Sequence, residues 1–240
     1  MSKKTSKAPI WITVIILAVG SFLGLRQSDI DRMIKAAEKA TASTTTKTTK
    51  KKTDAPAKTG YKPADKDAYI NSKGDIIHKA KSLPTAKDFE KVTAPSYAKN
   101  AKTKMGVVVR VHDGDTFQVK TKDDTLKIRV YGIDAPEIGQ KYGPQSRDKA
   151  DKLVGGKKVI LRIITTDRYG RNVSVVQTSE GLNFNEAMIK SGYAYYYRDY
   201  AKNNTTFAKL EAKAKEKQAG VWADPTLEKP WKYRKDKREE

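Results

Sequence analysis

At 240 residues and without a single cysteine, the chain cannot use disulfides, thiolate metal centres or cysteine nucleophiles, and its length allows one or two domains. The formal net charge of +21 favours a polyanionic partner, either nucleic acid or an anionic membrane surface. Residues 1–104 hold 22 Lys and Arg against 9 Asp and Glu, over half of that excess, so the charge argues for nucleic-acid binding less strongly than its total suggests.

Lys3, Lys4 and Lys7 precede an uncharged stretch over 9–25 that ends at Arg26. At about 17 residues it is long for a signal-peptide core and at the short limit for a membrane span. The basic flank predicts an N-in orientation, with everything after it exported. Ala18 and Gly20 supply a small-residue cleavage pattern, but inside the apolar run rather than after it. Residues 1–27 therefore read as a transmembrane anchor that leaves the downstream domain extracytoplasmic, with a cleaved signal and a secreted product as the alternative. Residues 28–42 have helical composition, with Ile30, Met33, Ile34 and Ala37 on one face. Residues 43–59 are almost wholly Thr, Lys, Ala, Ser and Pro, too poor in large apolar side chains to offset the entropy of ordering. Residues 60–104 stay polar and lysine-rich, with scattered Tyr69, Ile76 and Phe89 and room for one short helix over 86–92. The whole of 28–104 is expected to be a largely disordered linker.

From Met105 the texture changes. β-branched runs over 106–112, 116–121 and 125–131, separated by Asp-Gly-Asp and Lys-Asp-Asp turns, predict a three-stranded meander. A helix over 144–154 stops at Gly155 and Gly156, and strands over 157–165 and 172–178 flank the Tyr169-Gly170 turn. Helices over 183–191 and 204–218 end at Gly192 and Gly220, with a short extended piece over 193–197 between them. These elements predict an α+β fold over 105–223: a five-stranded Greek-key β-barrel of the OB type with about three α-helices, followed by a basic tail over 224–240. A segment of that length can close one core without disulfides.

Two runs concentrate carboxylates and arginine at strand ends: Asp113-Gly114-Asp115, and Arg129 through Asp134-Ala135-Pro136-Glu137. Asp115 and Asp134 are candidate ligands of a hard cation, and carboxylate oxygens suit Ca2+, which tolerates loose coordination completed by backbone carbonyls and water. Asp113 reads as an Asx-turn residue. Glu137, beyond the stiffening proline, can orient or deprotonate a water that attacks phosphorus. Arg129 and Arg171 are a candidate clamp for the negative oxygens of a phosphoryl transition state, because a guanidinium fork pairs bidentately where lysine offers only a charge. The two histidines, His78 in the linker and His112 beside the Asp-Gly-Asp turn, are too few for a histidine metal site, and His112 is expected to be an ordinary exposed residue. Tyr193, Tyr195, Tyr196, Tyr197 and Tyr200 form the richest aromatic cluster, of which two or three are expected to pack the core.

With these residues in this order, 105–222 resembles the staphylococcal nuclease (thermonuclease-like) domain. The resemblance rests on Asp113-Gly114-Asp115-Thr116, Arg129, Ile133-Asp134-Ala135-Pro136-Glu137 and Tyr142-Gly143-Pro144. It continues through Asp167-Arg168-Tyr169-Gly170-Arg171, Asn185-Glu186-Ala187 and Gly220-Val221-Trp222, and covers half the chain. It implies a Ca2+-dependent, sugar-non-specific nuclease that acts on DNA and RNA, breaks the P–O5′ bond and leaves 3′-phosphate ends. It also implies that Asp115, Asp134 and the backbone carbonyl of Ala135 hold the metal, with Arg129, Glu137 and Arg171 catalytic. The residue at position 135 is threonine in the best-known member, a change that spares the carbonyl. Arg168 and Tyr169 match positions that hold the terminal phosphate and the nucleotide, and a tyrosine near Tyr197 matches one that stacks on a base. The tail from Asp224 to Lys235 looks like extensions of bacterial members. A barrel that binds nucleic acid or a protein without cutting is the rival reading, disfavoured because all five carboxylate and arginine positions are kept. A monomer is expected.

Overall fold

The computed structural model describes residues 60–239, together with Ser28 alone before them. The anchor, the 28–42 helix and the 43–59 tether lie outside the described residues; among those described, no helix is long and apolar enough to cross a membrane. Residues 60–239 fall within a single compact unit.

The unit opens with a two-stranded hairpin, β1 (Tyr69–Ile70) and β2 (Ile76–Ile77), followed by 3-10 turns at Ala86–Phe89 and Ser96–Ala98. Then β3 (Lys102–Val111), β4 (Thr116–Lys120) and β5 (Thr125–Val130) form the expected antiparallel meander. After a short β6 (Ile133–Asp134) and helix α1 (Gly143–Val154), the hairpin β7 (Lys158–Thr166) and β8 (Asn172–Thr178) completes a closed five-stranded barrel. β5 pairs β8 in parallel, and β3 pairs β7 antiparallel. Closure depends on β3 serving two neighbours. Its first half is registered on β7 and its second half on β4, with a register shift between Val108 and Arg110 that bends the strand. Alternation does the rest: Phe117 and Val119 of β4 and Ile128 and Val130 of β5 point inward, each at most 1% exposed.

Helix α2 (Phe184–Lys190) starts at Asn183, whose side chain accepts from the Glu186 N–H, and α3 (Thr205–Glu216) starts at Asn204, which accepts from Phe207 N–H. Phe184 meets Phe117 edge-on at 5.5 Å between ring centroids, locking α2 to the barrel. The predicted extended piece becomes β9 (Tyr195–Tyr196), paired with β6 so that Asp134 lies opposite Tyr195. Tyr195 and Tyr196 are both core residues.

The structure differs from the sequence reading at both ends of the barrel. The expectation of a largely disordered linker does not hold from residue 60 onward. Ile76, Phe89 and Ala98 are buried, and β2 adds to β3 by pairing Ile76 with Val111. Asp75 joins this edge through Arg110 (2.7 Å) and His112 (3.0 Å). His112 is therefore half-buried rather than exposed, and burial lowers its pKa despite the opposing pull of Asp75. His78, placed in the linker by sequence, is buried with Nε2 2.5 Å from Asp151. The segment lacks a core of its own and borrows the barrel's. Ile76→Ala is accordingly expected to cost about 2–5 kcal/mol in denaturant unfolding. Ile70→Ala, at a 41% exposed position of the same hairpin, should cost far less, and equal costs would show that the hairpin is not part of the cooperative unit. The second difference is at the C-terminus, where the expected basic tail contains a helix, α4 (Pro230–Glu239).

Candidate active site

The turn between β3 and β4 is organised by Asp113, whose Oδ1 accepts from the N–H groups of Asp115 (2.9 Å) and Thr116 (2.6 Å). Asp113 is thus the Asx-turn residue its position suggested. Its carboxyl is pushed up by burial and by the charge of Asp115. Gly114 has a steric reason to be glycine, because a Cβ there would collide with the Ser146 hydroxyl and the Ala135 methyl. That close approach seats Asp115 against the start of the next loop. Asp115 Oδ2 accepts from the Ala135 N–H at 2.7 Å, and Oδ1 accepts from the Thr116 hydroxyl at 3.1 Å.

Arg129 lies on β5 in register with Thr116, so its side chain rises beside Asp115. Its guanidinium spans two carboxylates, with Nη1 2.7 Å from Asp115 Oδ2 and Nη2 2.7 Å from Asp134 Oδ1. Burial works against its charge, but Asp115 and Asp134 outweigh that and hold its pKa above the usual value. Asp134, on β6, is completely buried. Burial first, then the charge of Asp115, raises its pKa to about 6 against the opposing pull of Arg234 and Arg129.

Glu137 sits in the loop after Pro136, where its N–H donates to Gln140 Oε1 at 2.9 Å. Its carboxylate is partly exposed and meets a residue of the segment expected to be a basic tail. Arg234 of α4 places Nη1 2.8 Å from Glu137 Oε1 and 3.1 Å from Asp134 Oδ1, with Nη2 2.8 Å from Asp134 Oδ2. Several contacts hold α4 there. Trp231 stacks on Tyr197 at 5.5 Å and meets Tyr195 edge-on at 5.8 Å. Gln140 Nε2 donates to the Glu228 carbonyl at 3.1 Å, and Lys141 pairs with Asp224 at 2.7 Å. The signal in the sequence was Pro230, an N-terminal helix residue, followed by Trp231 and a run of strong helix formers.

The structure therefore brings together Asp115, Arg129, Asp134, Ala135 and Glu137, and adds Arg234. It does not bring Arg171 onto the aspartates. Arg171 precedes β8, whose Val173 is registered opposite Arg129, but its Nε is 2.7 Å from Asp167 Oδ2. Asp167 Oδ1 also accepts from the N–H groups of Tyr169 and Arg171, both at 2.9 Å, and these bonds hold its pKa down against burial. The guanidinium carbons of Arg168 and Arg171 lie 5.0 and 5.4 Å from the centroid of the Tyr169 ring, which is 65% exposed. These three residues form a separate cationic and aromatic patch at the rim. The Tyr197 ring has Trp231 parallel to it at 5.5 Å and Tyr200 packed at 4.8 Å.

Among the described residues no three His, Asp or Glu side chains converge closely enough to enclose a metal by themselves. The chemistry of the donor set still fits a hard divalent cation. Every candidate ligand is oxygen, and Asp115 and Asp134 are close enough for one guanidinium to bridge them. The four carboxylates of Asp113, Asp115, Asp134 and Glu137 outnumber the two arginines near them, and the charge of Asp115 adds to burial in raising the pKa values of Asp113 and Asp134. A calcium ion accepts such an incomplete set, taking its remaining ligands from backbone carbonyls, water or substrate oxygens.

The family model described as staphylococcal nuclease homologue matches residues 127–224, which include Arg129, Asp134, Glu137 and Arg171 but not α4. A protein of Escherichia coli O157:H7 named an uncharacterized endonuclease is 38% identical over 129 residues, covering 54% of this chain and 84% of that protein. A micrococcal nuclease of Shigella flexneri is 34% identical over 139 residues, covering 54% of this chain and 80% of that protein. Staphylococcal-like nuclease CAN1 of Arabidopsis thaliana is 41% identical over 113 residues, 47% of this chain and 34% of its own length.

Proposed function

Starting from the fact that the chain belongs to the staphylococcal nuclease family and is a nuclease, we propose that it hydrolyses the phosphodiester bonds of both DNA and RNA with Ca2+ as cofactor, leaving 3′-phosphate ends. The observation that carries this reading is the buried pair Asp115 and Asp134 bridged by the one guanidinium of Arg129, with Glu137 at the edge of the same cluster. Asp115 and Asp134, joined by the carbonyl of Ala135, would hold the ion, which supplies Lewis-acid charge stabilisation to the phosphoryl oxygens. Arg129, whose Nη atoms meet Asp115 and Asp134, would turn its fork to the developing negative charge once the ion neutralises those carboxylates. Glu137 orients the attacking water and accepts its proton. The water oxygen forms the new bond to phosphorus, the P–O5′ bond breaks, and the departing 5′ oxygen leaves as a hydroxyl by taking a proton from solvent, while Glu137 returns the water's proton to solvent. Arg171, with Arg168 and Tyr169, would engage the substrate from the rim after leaving Asp167.

The charge pattern of residues 1–27 supports a membrane-anchored enzyme with its nuclease domain outside the cytoplasm. Cleavage of DNA and RNA by the purified chain, compared in Ca2+, in Mg2+ and in chelator, tests the activity. Cleavage in Ca2+, its abolition by chelator, and product ends that need phosphatase treatment before extension are the expected results. A folded protein that does not cut in Ca2+ would remove the enzymatic reading, and undiminished cutting in chelator would remove the metal.

A further inference from the structure

A cavity of about 410 Å3 opens beside the reaction centre, between the loop 137–139 and α4. Glu137 borders both the cavity and the carboxylate cluster. The opposite wall is formed by Tyr233, Arg234, Lys237 and Arg238. Three of these are cations at spacings of three and four residues, so one face of α4 carries them all toward the same space. The single carboxylate in the lining, Glu137, already meets Arg234. Arg238 has no acidic partner among the described residues, and Lys237 and Arg238 are both exposed. The space itself depends on Gly139, since a Cβ there would come 2.9 Å from the Tyr233 hydroxyl. The result is a net positive recess of ligand size at the edge of a phosphodiester-cleaving site.

We propose that this recess is a binding subsite for the backbone phosphate next to the scissile one, with Lys237 and Arg238 of α4 pairing its oxygens. The proposal rests on the nuclease reading for the position of the scissile phosphate, between Arg129 and Glu137. In this arrangement α4 forms the second wall of the substrate path. The barrel supplies the chemistry, and the C-terminal helix holds the strand on one side of it. The ligand is a nucleic-acid strand, because only a chain of phosphates places one anion in the recess while another occupies the reaction centre.

Anisotropy titration of the full chain with a short fluorescent single-stranded DNA, in chelator and between about 50 and 200 mM salt, tests the subsite. One phosphate contact to a single strand contributes about 0.7 to the slope of log K against log salt, and both cations pair the same phosphate, so Lys237→Ala with Arg238→Ala is expected to make that slope shallower by about 0.7. Arg238→Ala alone is expected to give about half that change. The control pair, Lys232→Ala with Lys235→Ala, removes the same charge from α4 residues that do not line the cavity and is expected to leave the slope nearly unchanged. Equal slope changes in both pairs, or none in the first, would overturn the subsite. If the wild-type chain cuts DNA and the pairs do not differ, the subsite falls and the nuclease reading stands. If the pairs differ and the wild-type chain does not cut, the nuclease reading falls and the anion site stands.

Discussion

Arg129→Ala is expected to lower cleavage by about 10²–10³-fold, the loss seen when one preorganised donor to a developing oxyanion is removed. It is also expected to destabilise the fold by about 3–5 kcal/mol, the cost of stripping one partner from a buried ion pair. Both effects have one origin. Asp134 is completely buried and Asp115 is 6% exposed, and the bridging guanidinium is the charge they share. Without it, two carboxylates face one another with little water to screen them. Arg129→Lys separates the two roles. A lysine restores a positive charge near both acids, so much of the stability should return. An ammonium group cannot present two parallel donors, so cleavage should remain depressed. Melting in chelator reads the first quantity and initial cleavage rates read the second. Full activity in Arg129→Lys would show that the fork is not used in the reaction, and an unchanged melting temperature in Arg129→Ala would show that the bridge is not a structural element.

The sequence revealed those parts of the molecule whose physics is local. The five barrel strands came from β-branched runs with turn residues between them, and α2 and α3 came from Asn183 and Asn204, whose side chains do cap the first turns. The candidate site was also legible, since Asp113, Asp115 and Arg129 lie within one meander and Asp134 and Glu137 follow directly after it. The order of residues 60–101 was hidden because its elements are two to four residues long and carry no period. Their stability is non-local: Asp75 reaches Arg110, and Tyr97 reaches Glu186 at 2.8 Å. Helix α4 carried a local signal in Pro230 and the helix formers after it, but its place beside the site was hidden, because its anchoring contact is Trp231 on Tyr197. Arg171 is a different case, because its spacing of four from Asp167 permits a local ion pair in the turn, and that pair holds the guanidinium at the rim.

Arg234→Ala is expected to tighten Ca2+ binding about 10-fold, a change of about 1.4 kcal/mol. The reasoning follows from what Arg234 touches. Its guanidinium satisfies both oxygens of Asp134 and one of Glu137, which are the oxygens a cation at this site would draw on. Charge-assisted hydrogen bonds of this kind contribute about 1.5–3 kcal/mol when buried, and the 35% exposure of the Arg234 side chain argues for the lower part of that range. Any ion that binds Asp134 must displace these contacts, so their removal should appear as affinity in a calorimetric titration without substrate. The same substitution should weaken the metal-free protein, and the weakening should depend on pH. Asp134 already has a folded-state pKa of about 6, raised above its unfolded value of 3.8. Its contribution to stability is therefore complete below the unfolded value and is lost as pH rises through 6. Loss of Arg234 removes the largest influence holding that pKa down, so the falling limb of stability against pH should move to higher pH in chelator. Weaker or unchanged Ca2+ affinity in Arg234→Ala would show that the arginine does not compete with the ion. A pH profile identical to the wild type would show that Asp134 is not the group it holds in check.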